Sequence, residues 1–292
     1  MFRVSVPATS ANIGAGFDSL GVALSLYNEY EFNEEGNEVV FEGVEEEFQN
    51  DDNIILVSMK KVFEKYQYKY KGLKIKVIKQ DIPISRGLGS SSSCIVAGLI
   101  GAFLIMGHDV NKDEILNLAV EIEGHPDNVC PAIFGGITVS IMNKENVFYN
   151  NIEFKEGIKF IALIPEFTLA TKKAREVLPK KVDFNDAVYN LGRAALLVSC
   201  FSNGKYELLM EATDDKLHQI YRSSLIKGYD DLYNQSIKLG ALGFYISGAG
   251  PTLMAIVKED NNLKENIENY IKEEKLKWSV LELTIDKLGA KF

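Results

Sequence analysis

Pro83-Ile84-Ser85-Arg86-Gly87-Leu88-Gly89-Ser90-Ser91-Ser92-Ser93 is followed by Ile95, Val96, Leu99, Ile100, Phe103 and Leu104, apolar residues at helical spacing. Glycine at 87 and 89 lets the backbone turn tightly and approach a ligand closely. The serines open an apolar helix, where unpaired N–H groups and the helix dipole favour an anion. Their hydroxyls can donate to phosphate oxygens or ligate a hard cation. The bland reading is a helix capped by Ser90, with the glycines serving only the turn. Four serines in succession weigh against it, because a single hydroxyl is enough to cap a helix. No Gly-Lys-Ser/Thr follows, so the stretch is not a Walker A loop, and the third glycine of a dinucleotide fingerprint is absent.

Around this stretch lies a chain of 292 residues, enough for one large domain or two smaller ones. Hydrophobic residues at 46% and charged residues at 25% are ordinary for a globular protein. A net charge of −9, with lysines scattered among glutamates, argues against a nucleic-acid partner. A phosphate-handling chain of this charge must supply local positive potential from helix N-termini, backbone amides and Mg²⁺. Cys94, Cys130 and Cys200 are widely spaced, with no C-x-x-C pair, and read as buried free thiols in a reducing cytoplasm. The start, Met1-Phe2-Arg3, runs straight into a strand pattern, so no signal peptide is expected. The longest run without polar or charged side chains, 94–107, is short for a membrane span and reads as a core helix.

Working outward, strands are expected at 3–6, 23–32, 73–77, 137–141, 159–164, 243–247, 252–257 and 278–285. Helices are expected at 53–66, 112–123, 170–177, 185–201, 228–239 and 262–273. The two kinds mix without strict alternation, which fits an α+β fold better than a doubly wound sheet. A domain boundary is placed near 155, giving units 1–155 and 156–292.

Pro83-x-x-x-Gly87-Leu88-Gly89-Ser90-Ser91 resembles the phosphate loop of the GHMP kinases, the superfamily of galactokinase, homoserine kinase, mevalonate kinase and phosphomevalonate kinase. That family usually has Ala-Ala where Ser92-Ser93 stand here; both pairs are small. Pro7-Ala8-Thr9-Ser10-Ala11-Asn12-Ile13-Gly14 with Gly16-Phe17-Asp18 resembles the N-terminal motif of the homoserine kinases in particular. Glu123-Gly124-His125-Pro126-Asp127-Asn128-Val129 resembles their second segment, and Ser247-Gly248-Ala249-Gly250-Pro251-Thr252 the superfamily's Gly-rich third motif. The matches occur in the family's order and span most of the chain. The resemblance implies an N-terminal domain like ribosomal protein S5 domain 2 and a C-terminal ferredoxin-like domain. It also implies ATP-dependent phosphorylation of L-homoserine, a step of threonine biosynthesis, and a homodimer. A mevalonate-type substrate and a non-catalytic ATP-binding sensor are the rival readings.

By the same resemblance, Pro83, Ile84, Ser85, Arg86, Gly87, Leu88, Gly89, Ser90, Ser91, Ser92 and Ser93 hold ATP. Ser91 and Glu123 hold Mg²⁺; both offer hard oxygens. Glu121 competes with Glu123. Arg175 and Arg222 can grip a carboxylate with a guanidinium fork, although in the segment after Arg222, Leu225-Ile226-Lys227-Gly228-Tyr229, Lys227 stands where the family usually has proline. Asn12, Asp18 and Asp127 take the acceptor's polar ends, with Asp18 or Asp127 on an ammonium. Asn128 orients the hydroxyl. Asp127 is the acidic candidate for general base, the alternative acceptor of the proton being the γ-phosphate itself. His125 reads as a residue shaping its turn. Asn53 reads equally as a helix N-cap and as a contact near the nucleotide base.

Overall fold

The computed structural model describes residues 1–144 and 146–292. The first part of the chain forms β1 (Phe2–Ala11), β2 (Leu20–Glu34), β3 (Val39–Glu42), α1 (Ile54–Lys65), β4 (Leu73–Gln80), α2 (Ser90–Met106), α3 (Lys112–Glu123), α4 (Pro126–Phe134), β5 (Ile137–Asn143) and β6 (Asn146–Ile152). The second part forms β7 (Ile158–Pro165), α5 (Thr171–Glu176), α6 (Phe184–Asn203), α7 (Leu209–Thr213), α8 (Gln219–Arg222), α9 (Tyr229–Lys238), β8 (Gly243–Ile246), β9 (Leu253–Lys258), α10 (Leu263–Glu273) and β10 (Trp278–Leu283).

Strands β1 to β6 make a six-stranded sheet, ordered β3-β4-β2-β5-β6 with β1 also on β2. Pro7 cannot donate to the ladder, and β1 shifts register against β2 between Pro7 and Ala8. The strand continues beyond this bulge to Ala11, further than the expected end at 6, and so carries the 7–12 segment into the site. Helix α2 is buried on nearly every face from Ser92 to Phe103, as expected of a helix apolar all round. It packs close to its neighbours because glycines face them. A Cβ on Gly98 would fall 2.5 Å from the Ile55 carbonyl, and one on Gly101 2.7 Å from the Phe32 ring.

The second sheet is β10-β7-β9-β8, all antiparallel. With α9 and α10 it has the β-α-β-β-α-β order of a ferredoxin-like unit. Leu232, Leu263, Ile267 and Ile271 cover one face. The other face shares a core with the first sheet: Ala8, Ile13, Val22 and Leu24 pack with Phe160, Phe201, Tyr245 and Met254. The α+β expectation is borne out. The sequence reading missed β3, β6, α4, α7 and α8, which are short, polar or, in α4, interrupted by Pro131. Among the described residues, no helix is long and apolar enough to cross a membrane.

Candidate active site

The segments singled out in the sequence meet in a cleft of about 500 Å³ between the two sheets. Gly87 and Gly89 both have positive φ, 78° and 73°. A Cβ on Gly87 would lie 2.4 Å from the Ser247 carbonyl oxygen, and one on Gly89 2.0 Å from Thr9 Oγ1. The phosphate-type loop is therefore pressed between the first and third motifs, where a side chain would not fit. Ser247 Oγ donates to the Gly87 carbonyl at 2.5 Å, and Thr9 N–H to the Leu88 carbonyl at 3.1 Å.

Gly89 is the N-cap of α2 and supplies no side-chain bond, so Ser90 does not cap the helix. The first helical bond runs from Ser93 N–H to Gly89 at 2.9 Å. The amides of Ser90, Ser91 and Ser92 precede it, and all three residues line the cleft. Pro83, Leu88 and Ser93, expected among the ATP contacts, do not line it. Leu88 is an apolar anchor in the shared core, and Ser93 turns inward to Tyr30 and Asn28. Arg86 lines the cleft, but its guanidinium is tied to the carbonyls of Ile84, Pro165 and Glu166 at 2.7, 3.0 and 2.6 Å. It fastens the loop to the end of β7.

Glu123 ends α3 and faces the serines. Ser91 Oγ donates to its carboxylate at 3.2 Å and Ser92 Oγ at 3.1 Å. Glu121 points elsewhere, pairing with Lys61 at 2.7 Å on the surface. A hydroxyl and a carboxylate at the mouth of the loop suit Mg²⁺, which takes few protein oxygens and keeps several waters. His125 also lines the cleft, and its Nδ1 lies 2.7 Å from Asp127 Oδ1. Burial pulls the His125 imidazole down, but the bond to Asp127 and the charges of Asp127 and Glu123 outweigh it, for a net upward shift. Asp127 itself is fully buried, its Oδ2 without a partner among the described residues, and it reaches the cleft through His125. Asn128 lines the cleft and accepts from Thr9 Oγ1 at 2.8 Å.

At the far end, Arg175 grips Asp18 with both arms, at 2.7 and 3.2 Å. Two residues expected to meet opposite ends of an acceptor thus satisfy each other. Asn12 Oδ1 accepts from Asp18 N–H at 2.7 Å, and Asn12 Nδ2 donates to the Gly248 carbonyl at 2.9 Å. Arg222 donates to the Ala174 carbonyl at 3.1 Å and to the same Gly248 carbonyl at 3.0 Å. It is 1% exposed, so most of its fork holds backbone. Burial and the nearby Arg175 push its guanidinium down to about 10. Phe17 lies beneath both arginines, with ring-to-guanidinium distances of 5.7 and 5.1 Å, and stacks on His218. Sequence reasoning assigned neither Phe17 nor His218 a role. Phe17 lay within a quoted motif; nothing local marks His218.

The opposite end of the cleft is lined by Tyr30, Val44, Phe48, Asn53 and Val77. Asn53 caps α1, accepting from Ile55 and Leu56 N–H at 3.0 and 3.3 Å, and it also lines the cleft. Val44 and Phe48 flank Glu45-Glu46-Glu47, and that charge run concealed them as site residues.

The GHMP kinases N terminal domain model matches residues 53–136, and the GHMP kinases C terminal model residues 197–275. A homoserine kinase of Clostridium botulinum is 56% identical over 291 residues, covering 99% of this chain and 98% of that one. The crystal structure of homoserine kinase from Cytophaga hutchinsonii superposes with TM-score 0.88 at 25% identity, covering 99% and 96% of the two chains. The mevalonate kinase of Methanococcus jannaschii superposes with TM-score 0.71 at 16% identity, covering 97% of this chain and 98% of its own, a likeness of fold alone.

Proposed function

This chain belongs to the homoserine kinases, within the GHMP kinases, and we propose that it transfers the γ-phosphoryl group of ATP to the side-chain hydroxyl of L-homoserine. The products are ADP and O-phospho-L-homoserine, an intermediate of threonine synthesis. The observation that carries this reading is one cleft lined both by an anion-binding helix start and by Arg175, whose guanidinium is paired with Asp18 behind the lining residues.

Phosphoryl transfer needs alignment and charge neutralisation more than covalent chemistry from the protein. The amides of Ser90, Ser91 and Ser92 at the start of α2 cradle the phosphates. Ser91 and Glu123 would hold Mg²⁺, which neutralises charge on the phosphates when bound. An α-amino acid can enter between Asp18 and Arg175, its ammonium on Asp18 and its carboxylate on Arg175. One internal ion pair is then exchanged for two. A hydroxy acid such as mevalonate would take Arg175 and leave Asp18 unpaired, which is costly in a half-buried site. Asn128, held by Thr9 Oγ1, orients the acceptor hydroxyl. Asp18 and Glu123 are engaged and Asp127 lies beneath His125, so the reading sends the hydroxyl proton to an oxygen of the transferring phosphoryl group.

The test is ADP release with L-homoserine, mevalonate or no acceptor. L-homoserine-dependent release is expected. Release with mevalonate alone would replace the substrate, and ATP binding without release under any condition would favour the sensor. Full kcat in Asp127→Asn would remove Asp127 as base.

The reading places the enzyme in the cytoplasm, in keeping with its free thiols. The domains are 1–155 and 156–292, in keeping with a first sheet ending at Ile152 and a second beginning at Ile158. A homodimer is the proposed assembly; on α6, Phe184, Val188 and Leu191 are 80%, 51% and 71% exposed along one uncharged stripe. Light scattering should show two copies, and Leu191→Glu one; a monomeric wild type would end this assignment.

A further inference from the structure

Between the acceptor end of the cleft and the second sheet lies a fully buried imidazole that phosphoryl transfer does not require. His218 has no exposed surface. Its Nε2 lies 2.8 Å from the Gly14 carbonyl and its Nδ1 3.5 Å from an Arg222 nitrogen. A carbonyl accepts only, so Nε2 carries the proton. A guanidinium donates only, so Nδ1 presents its lone pair. The two contacts together require the neutral Nε2–H tautomer. Asp215 does not compete for it. Its carboxylate is 3.8 Å from Nε2 and is already filled by the N–H groups of Leu217, His218 and Gln219 and by Asn190 Nδ2.

We propose that His218 is a positioning residue for the acceptor site, fastening Arg222 on one side to the Gly14 turn on the other. This rests on the homoserine kinase reading. The geometry gives the fastening a direct route to the acceptor. Gly14 belongs to the turn that carries Asn12 and Asp18, and it is pressed so tightly onto α7 that a Cβ would lie 2.4 Å from Thr213 Cα. Arg222 and Asn12 share the Gly248 carbonyl. Arg222 also holds Ala174, the residue before Arg175. The imidazole face supports Phe17, with ring centroids 5.1 Å apart, and Phe17 underlies both guanidinium groups. One neutral ring therefore sets the spacing of the groups that would take the acceptor's two charges, while the phosphate loop lies outside its contacts.

Two variants split the ring's functions. His218→Gln can keep the donor to Gly14 and lose the acceptor for Arg222; His218→Asn can keep that acceptor and lose the donor. In steady-state assays both should raise KM for L-homoserine by roughly tenfold or more, with KM for ATP within about twofold of wild type. A purely structural histidine would lower Tm and the active fraction while leaving KM for homoserine within about twofold, and that result would overturn the proposal. ¹⁵N NMR of the wild-type holoprotein is independent of variant folding. A neutral Nε2–H tautomer at pH 7 is expected, and an imidazolium or Nδ1–H form would equally overturn it. A wild type inactive toward L-homoserine would sink the functional reading instead, with the NMR result still deciding the tautomer.

Discussion

At the scale of single residues, Glu123 and Glu121 are two positions apart on one helix and face different surroundings. Glu123 receives two serine hydroxyls at the phosphate loop, whereas Glu121 pairs with Lys61 in solvent. Glu123→Ala should lower kcat at least on the order of 10²-fold, the scale of a lost preorganised electrostatic group. Glu121→Ala should lie near wild type, since exposed pairs contribute little. Equal effects in a side-by-side assay would undo the distinction. His125 permits a second prediction. The chain has only three histidines, so their NMR titrations can be assigned. The His125 midpoint should lie above the ordinary imidazole value and fall in Asp127→Asn, because the Asp127 carboxylate holds the proton on. The protonated form is favoured in the fold. The pair therefore stabilises most below the unfolded value of about 6.5. That contribution is lost as pH rises through the raised folded value. His218, lowered mainly by burial, should stay neutral over the same range. A His125 midpoint unmoved by Asp127→Asn would refute the pairing.

At the scale of elements, the two ends of α2 offer a controlled comparison. Gly89 and Gly107 both have positive φ, 73° and 66°, at its start and end. Alanine at either should cost roughly 1–2 kcal/mol of backbone strain. At Gly107 the new Cβ meets nothing within 4 Å, while at Gly89 it would lie 2.0 Å from Thr9 Oγ1. Both variants should lose Tm. Only Gly89→Ala should also raise KM for ATP, by roughly tenfold or more, since it displaces the loop and frees Thr9 from Asn128. Similar ATP constants in both would show that the loop does not need this packing. The same helix shows why part of the site was legible in sequence. Gly-x-Gly before serines and an unbroken apolar run are local signals, and backbone geometry follows from them. Asp18 with Arg175, 157 residues apart, and His218 with Gly14, 204 apart, meet only through tertiary packing. Helix α4 was hidden by Pro131, β3 by its length of four residues, and β6 by its polar Asn146, Asn150 and Asn151.

At the scale of the whole molecule, two sheets suggest two folding units, but their packing couples them. The core beneath the cleft draws Leu20, Val22 and Leu24 from β2 and Leu197, Phe201 and Tyr245 from beyond β7. The chain then returns to the first sheet after β10, where Ile285 bridges Leu24 and Lys291 bridges Ser5. In this returning tail Asp286 accepts from Tyr27 at 2.7 Å and from the Leu288 and Gly289 N–H groups at 2.9 and 2.6 Å. Neither sheet buries its inner face without the other, and burial of apolar area is the dominant favourable term in folding. Calorimetry of the full chain should therefore give one cooperative transition, with calorimetric and van't Hoff enthalpies in agreement. A fragment of residues 1–155 should lack a cooperative transition, because it exposes Leu20, Val22 and Leu24 and loses the tail. Removing residues 284–292 from the full chain should lower Tm while leaving a single transition, since it strips the bridges and, from the cores, only Ile285 and Ala290. Two resolved transitions, or a fragment 1–155 that melts cooperatively by itself, would mean that each sheet is sufficient for its own core. The cleft between them would then be a hinge between independent bodies rather than a site built on one shared interior.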